Sequence, residues 1–274
     1  MRRGLFLPAF DEMADAALIG ELGELAEGSG WDGFFVWDHV QYAEPVERIA
    51  DPWICLAALA LRTERLRFGL MVTPIARRRP WVYARQAVTV DRLSGGRLVL
   101  GLGVGADNRG EMAPLGEEPE IRVRAEMLEE ALDLLEQIFS GEPVEHAGEH
   151  YAVSARPFLP RAAQEPRIPV WIGAGWPGGR PVDRAARWDG IFPIGIPAAD
   201  VPGLRERLGA QRDPGAAPLE IVGMALPGED AGPWAEAGTD WLLTQLGPRP
   251  RPGGGLDPTP PLAEVRSVIA AGPG

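Results

Sequence analysis

The stretch Trp31-Asp32-Gly33-Phe34-Phe35-Val36-Trp37-Asp38-His39-Val40 decides how the rest of the chain is read. Gly33 allows a tight entry, and Phe34 to Trp37 is a short, wholly apolar run of strand-forming residues. A run of this kind after a helical pattern predicts a strand buried on both faces, the mark of a parallel sheet. Asp38 and His39 then fall at its C-terminal end, where parallel α/β folds carry their chemistry. The pair is a candidate acid–base site; the other reading is a capping aspartate beside a structural histidine.

The same rhythm repeats on either side. Strands are expected at Gly4–Pro8, Leu66–Val72, Arg97–Leu102, Pro169–Ile172, Ile191–Ile194, Leu219–Ala225 and Asp240–Thr244. Between them lie helical patterns. Leu18, Leu22, Leu25 and Ala26 repeat at helical spacing. Asp51-Pro52 pairs an N-cap aspartate with a proline at the first helical position, opening a helix to about Arg62. Further helices are expected at Trp81–Leu93, through Ala125, Leu128, Leu135 and Ile138 up to Gly141, through Ala185-Ala186-Arg187, after Asp200, and at Leu262–Ala271. Only Asp230–Ala237 is available for the seventh. Eight strands with intervening helices predict a (β/α)₈ TIM barrel over residues 1–274 as a single domain. It would carry insertions at the C-terminal strand ends and a short seventh helix.

Composition excludes several kinds of chemistry. All 27 basic residues are arginine, so there is no lysine for a Schiff base or a Walker-type phosphate site. The single cysteine, Cys55, leaves no internal disulfide and no cysteine-rich metal site. His146 and His150 lie four apart, but Gly148 and a hairpin-like context argue against a helical metal pair, and no metal is expected. A net charge of −12 argues against general nucleic-acid binding, with Arg77-Arg78-Arg79 as one local positive patch. No apolar run is long enough for a membrane span, and Met1-Arg2-Arg3-Gly4 does not begin a signal peptide; a cytoplasmic protein is expected.

Two glycine-rich stretches follow strands. Gly101-Leu102-Gly103-Val104-Gly105 lacks the third glycine and immediate helix of a dinucleotide fold, and reads better as backbone approaching a flat ligand. The loop from Gly103 to Ile121 is long enough to be functional. Gly173 to Arg180 precedes a helix and is either a phosphate cradle or a set of turn glycines.

Several motifs together resemble the bacterial luciferase-like monooxygenase family. They are Trp37-Asp38-His39, Leu70-Met71-Val72-Thr73-Pro74 followed by Arg78 and Pro80, Asp91-Arg92-Leu93-Ser94-Gly95-Gly96-Arg97, Leu100 to Gly105, and Pro169 to Gly175. The resemblance implies a barrel that binds FMN or the deazaflavin F420 at the C-terminal strand ends, commonly as a homodimer. Asp38-His39 most resembles the deazaflavin branch. By position, it implies that His39, with Asp38 beside it, serves as the catalytic proton donor or acceptor. It also implies that Leu70 and Met71 form a bulge behind the ring, often on a non-prolyl cis peptide. Thr73, Gly103, Val104, Gly105 and Asn108 would line the ring and its chain, and Gly173, Gly175, Trp176 and Arg180 would hold phosphate.

The function expected on this basis is an F420-dependent oxidoreductase that transfers hydride to or from a small organic substrate. Its first alternative is an FMN-dependent monooxygenase supplied by a separate reductase. Its second is a flavin-binding protein without catalysis. The expected partners are a small molecule and, for either cofactor, a reductase, with neither nucleic acid nor membrane. Trp37, Trp53 and Trp176 suggest a hydrophobic pocket.

Overall fold

The computed structural model describes residues 1–107, 110–251 and 254–274. Its strands are β1 (Arg2–Leu7), β2 (Gly33–Val36), β3 (Arg67–Pro74), β4 (Leu98–Gly103), β5 (Val144–Ala147), β6 (Ala152–Ala155), β7 (Val170–Gly175), β8 (Gly190–Ile194), β9 (Glu220–Ala225) and β10 (Trp241–Gln245). Its helices are α1 (Ala16–Gly28), α2 (Pro52–Arg62), α3 (Pro80–Leu93), α4 (Ile121–Ser140), α5 (Arg180–Asp183), α6 (Val201–Gly209), α7 (Gly232–Glu236) and α8 (Leu262–Ala271). Eight parallel strands close into a barrel in the order β1-β10-β9-β8-β7-β4-β3-β2, the expected (β/α)₈ architecture, and β5–β6 is a separate antiparallel hairpin.

The apolar run of β2 works because its side chains alternate between two cores. Phe34 and Val36 pack outward under the helices, whereas Phe35 and Trp37 point into the barrel. Inside, the rings of Phe35, Trp171 and Trp241 meet at centroid distances of 5.3, 5.7 and 5.6 Å and fill the lower barrel. Below them the Trp171 indole donates to Glu220, which also pairs with Arg2. The cavity at the C-terminal mouth lies above this filled layer.

Local signals place the helices. Asp15 accepts hydrogen bonds from the amides of Ala17 and Leu18, and Asp51 accepts from Ile54, so both helices start at aspartate caps. The Asp91-to-Arg97 link joins three layers. Asp91 is fully buried and accepts from the backbone of Ala163 and Gln164, while Arg97 donates to the carbonyls of Ala60, Thr63 and Leu66.

One expectation changes. Ala185-Ala186-Arg187 is a 3₁₀ turn after the four-residue α5 rather than an α-helix, because Pro177, Gly178, Gly179 and Pro181 delay helix formation until little chain remains. Long connections follow the C-terminal ends of β2, β4 and β10, as expected. The β5–β6 hairpin follows α4 and packs back on it because Glu130 accepts from the backbone amides of His150 and Tyr151 and pairs with His146. Among the described residues no helix is long and apolar enough to cross a membrane.

Candidate active site

A cavity of about 550 Å³ occupies the C-terminal mouth of the barrel, within the range of small-molecule sites. Its wall on the β3 side is a bulge. The ladder between β3 and β4 slips between Leu70 and Thr73, and the Met71–Val72 peptide is cis. The expected position, Leu70–Met71, is one residue too early. Leu70 still pairs with Val36 and Leu100 in the regular ladder, so the irregularity starts after it.

The neighbouring glycines make room for this bulge. A Cβ on Gly101 would lie 2.6 Å from Met71 Sδ, one on Gly103 would lie 3.0 Å from Val72 Cγ2, and one on Gly173 would lie 2.4 Å from Val72 Cγ1. The bulge, not a ligand, is what requires the missing side chains there. Gly175 differs, since a Cβ at that position would meet nothing within 4 Å.

Past β2 the chain delivers His39 to the cavity, where its ring meets that of Tyr42 at 4.7 Å. Its Nδ1 lies 2.6 Å from Glu111 Oε2. The other carboxyl oxygen, Glu111 Oε1, accepts from Val40 N–H at 2.9 Å and from Arg77 at 2.7 Å. With Nδ1 committed to a carboxylate, Nε2 is the ring nitrogen left for a ligand.

Asp38 plays a different part. Its carboxylate is fully buried and accepts from Arg78 at 2.8 to 3.2 Å, from Thr73 Oγ1 at 2.8 Å and from Arg77 at 3.3 Å. Arg77 also donates to the Asp38 carbonyl at 2.7 Å. Asp38 anchors the strand end from which His39 hangs. The arginine run read as a positive patch is therefore turned inward at Arg77 and Arg78, whose side chains are 4% and 19% exposed.

Glu111 lies in the connection after β4, 72 residues from His39. Buried Arg124 ties the start and end of that connection, donating to the carbonyls of Val104, Gly105 and Glu118. Asp107 accepts from the amides of Met112 and Ala113 and shapes the turn that presents Glu111.

The cavity brings together Asp38, His39, Met71, Gly103, Val104, Gly105, Gly173 and Gly175 among the expected site residues. Leu70 is buried on the helix side, and Thr73 is buried behind Asp38. The Trp176 indole donates to Asp200 at 3.0 Å, and Arg180 stands exposed beside Pro181, which lines the cavity. Asn108 lies outside the described residues. Of the three expected pocket tryptophans only Trp37 lines the cavity; Trp53 packs on Tyr83 between α2 and α3.

Burial by itself would raise the Glu111 pKa, but the His39 hydrogen bond and charge, Arg77 and the Val40 amide outweigh it and hold the carboxyl below its ordinary 4.5. A depressed carboxyl contributes stability that is present above the unfolded-state value and lost as pH falls through the folded one. Chemical denaturation across pH should therefore show stability declining below about pH 4.5. Glu111→Gln should flatten that decline, and an unaltered slope would contradict the assignment.

A family model described as luciferase-like monooxygenase matches residues 1–227. The F420-dependent glucose-6-phosphate dehydrogenase of Microbacterium testaceum (strain StLB037) is 35% identical over 161 residues, 57% of this chain and 46% of its own length. The enzyme of the same name from Nakamurella multipartita is 34% identical over 164 residues, 58% of this chain and 47% of its own. This chain spans about half the length of these curated relatives. A solved F420-dependent secondary alcohol dehydrogenase, in complex with an F420-acetone adduct, superposes with a TM-score of 0.74 at 17% identity, over 89% of this chain and 93% of that one. Monooxygenase RslO1 from Streptomyces bottropensis gives 0.73 at 19% identity, over 98% and 96%. At such identities the two structures speak for the fold, while the family match spans most of the sequence: the chain belongs to the luciferase-like monooxygenase family.

Proposed function

We propose that the protein is an F420-dependent oxidoreductase that moves hydride between the deazaflavin C5 and a small organic substrate. The observation that carries this reading is His39, held through Nδ1 by Glu111 at 2.6 Å on the wall of the mouth cavity. The relatives that match 57% and 58% of the chain, F420-dependent by name, favour the same cofactor.

The cavity suits a flat ring. The bulge at Met71 and Val72 forms one apolar wall, and the open space over Gly175 is a cradle that a side chain would fill. When bound, the deazaflavin supplies the two-electron hydride chemistry. The protein's own share is orientation and one proton. Glu111 fixes the imidazole, and His39 Nε2 takes a proton from the substrate oxygen or returns one to it. Arg180 and the backbone from Gly175 to Gly179 would hold the cofactor's phosphate at the rim.

Titration of the purified protein with F420 and, separately, with FMN tests the reading. Saturable F420 binding followed by substrate-dependent reduction of F420 is expected; binding of FMN alone would overturn it. Arg180→Ala should weaken F420 binding by about 1.5–3 kcal/mol, the scale of a charge-assisted contact, with turnover at saturation little changed. Equal affinities of wild type and variant across a salt series would remove Arg180 from the phosphate end.

A further inference from the structure

Asp11, just past β1, has a φ of +50° and is the one non-glycine among the described residues with a left-handed backbone. Such a conformation persists where the surroundings hold it. Here the carboxylate serves two distant segments, one with each oxygen. Asp11 Oδ1 accepts from the amides of Glu47 at 2.9 Å and Arg48 at 3.3 Å, while Oδ2 accepts from Thr259 Oγ1 at 2.7 Å. The Asp11 amide donates to the Arg48 carbonyl at 2.9 Å, and the Ala50 amide donates to the Ala9 carbonyl at 3.0 Å. Beside them, Glu12 Oε2 accepts from the Leu262 amide at 2.9 Å, at the start of α8. One turn thus joins the end of β1, the return half of the connection after β2, and the segment leading into α8.

The connection after β2 carries part of the cavity wall. Tyr42 lines the cavity, and its ring lies 4.7 Å from His39 and 5.0 Å from Phe10, the residue before Asp11. Glu111 fixes the outgoing half by accepting from the amides of Val40 and Gln41. Asp11 fixes the return half at Glu47 and Arg48. The stretch from Tyr42 to Val46 therefore spans two carboxylates, both from outside the connection. Because Glu111 itself holds His39 at 2.6 Å, loosening the Asp11 end frees Tyr42 and leaves the imidazole in place. Burial would raise the Asp11 pKa, but the hydrogen bonds from Thr259, Glu47 and Arg48 and the Arg48 charge hold it below its ordinary 3.8.

We propose that Asp11 is a positioning residue for the mouth cavity: its carboxylate sets where the Tyr42 wall stands and couples that wall to the segment at Thr259. Thr259 does not line the cavity. It orients the carboxylate through one oxygen, and the other oxygen is thereby presented to Glu47 and Arg48. A change at Thr259 is felt at Tyr42 by this route. The role holds whichever cofactor the cavity takes.

Hydrogen exchange of the full chain without ligand, read by mass spectrometry on peptides covering 40–50 and 257–266, tests the coupling. Asp11→Gly suits a positive φ and removes both oxygens, so faster exchange reports the lost carboxylate and not added strain. Exchange at 42–48 should rise about threefold to tenfold, the scale of one hydrogen bond. Thr259→Val deletes only the hydroxyl and should raise exchange at 42–48 by about twofold or more. Asp11→Asn keeps an acceptor oxygen and a side chain that tolerates the left-handed region, and should stay near wild type. With F420 and an accepted substrate, Asp11→Gly should raise KM about threefold to tenfold while kcat holds. Wild-type exchange at 42–48 in Asp11→Gly, a Thr259→Val effect confined to 257–266, or a fall in kcat at constant KM would overturn the proposal. Should Asp11→Gly not fold, Thr259→Val decides by the same reading. A wild type that takes up no F420 would end the cofactor reading and leave the exchange results to decide the role of Asp11.

Discussion

Rapid mixing of the His39→Ala variant with F420H₂ and an accepted substrate is expected to show hydride transfer slowed by about 10²- to 10⁴-fold, with the cofactor still bound, the usual range for loss of a positioned acid–base group. The size of the effect follows from how little else could substitute. Asp38 shares the cavity wall, but its carboxylate is engaged by Arg77, Arg78 and Thr73. Glu111 is occupied by Arg77 and the Val40 amide as well as by His39. The pH profile of the variant should lose the limb that reports the imidazole. Glu111→Gln should keep the imidazole while weakening its orientation, so its rate should fall less than that of His39→Ala. Equal hydride-transfer rates in wild type and His39→Ala would remove His39 from the chemistry. Peroxide release by the variant during FMNH₂ oxidation would point to the FMN alternative.

The second large effect concerns stability. Asp38→Ala should cost about 3–5 kcal/mol in urea unfolding, because it leaves the largely buried Arg78 without its carboxylate and Arg77 with Glu111 alone. The Asp38 carboxylate has no exposure, and the Arg77 side chain has 4%. Thr73 Oγ1 would lose its acceptor too. Asp38→Asn keeps an acceptor oxygen but not the charge, so it should fall between. The shift should appear in the urea midpoint with little change in slope. A midpoint equal to wild type in Asp38→Ala would return Asp38 from an anchoring role to a catalytic one.

Much of the barrel was legible because its signals are local. The Asp51-Pro52 start predicted α2 to the residue, and the alternation of apolar runs with helical spacing located all eight barrel strands. His39 was legible because it directly follows one of those runs. Glu111 was not. It carries no pattern of its own in a glycine-rich loop, and its partner lies 72 residues away. The only signal was the loop's length. Arg77 and Arg78 misled for a related reason: consecutive arginines read as a solvated face until an acid from another strand end draws them inside. Gly101 and Gly103 announced a close approach, but not that the approaching group is a neighbouring strand. A local pattern specifies backbone conformation better than it specifies which partner fills the space.

The pairing of β1 with β10 has a consequence for how the molecule comes into being. Arg2 is registered against Trp241 and Phe6 against Gln245, so the first strand waits for the last before the ring can shut. Neighbours such as β1 and β2, or β3 and β4, need only short stretches of chain to meet, whereas this seam closes the longest loop available and has the largest closure entropy to overcome. His39, Glu111 and the bulge at Val72 all belong to the part synthesised early, but the wall formed by Phe6 and Gln245 spans the seam. A nascent chain can therefore carry His39 and Glu111 long before it encloses the cavity they line.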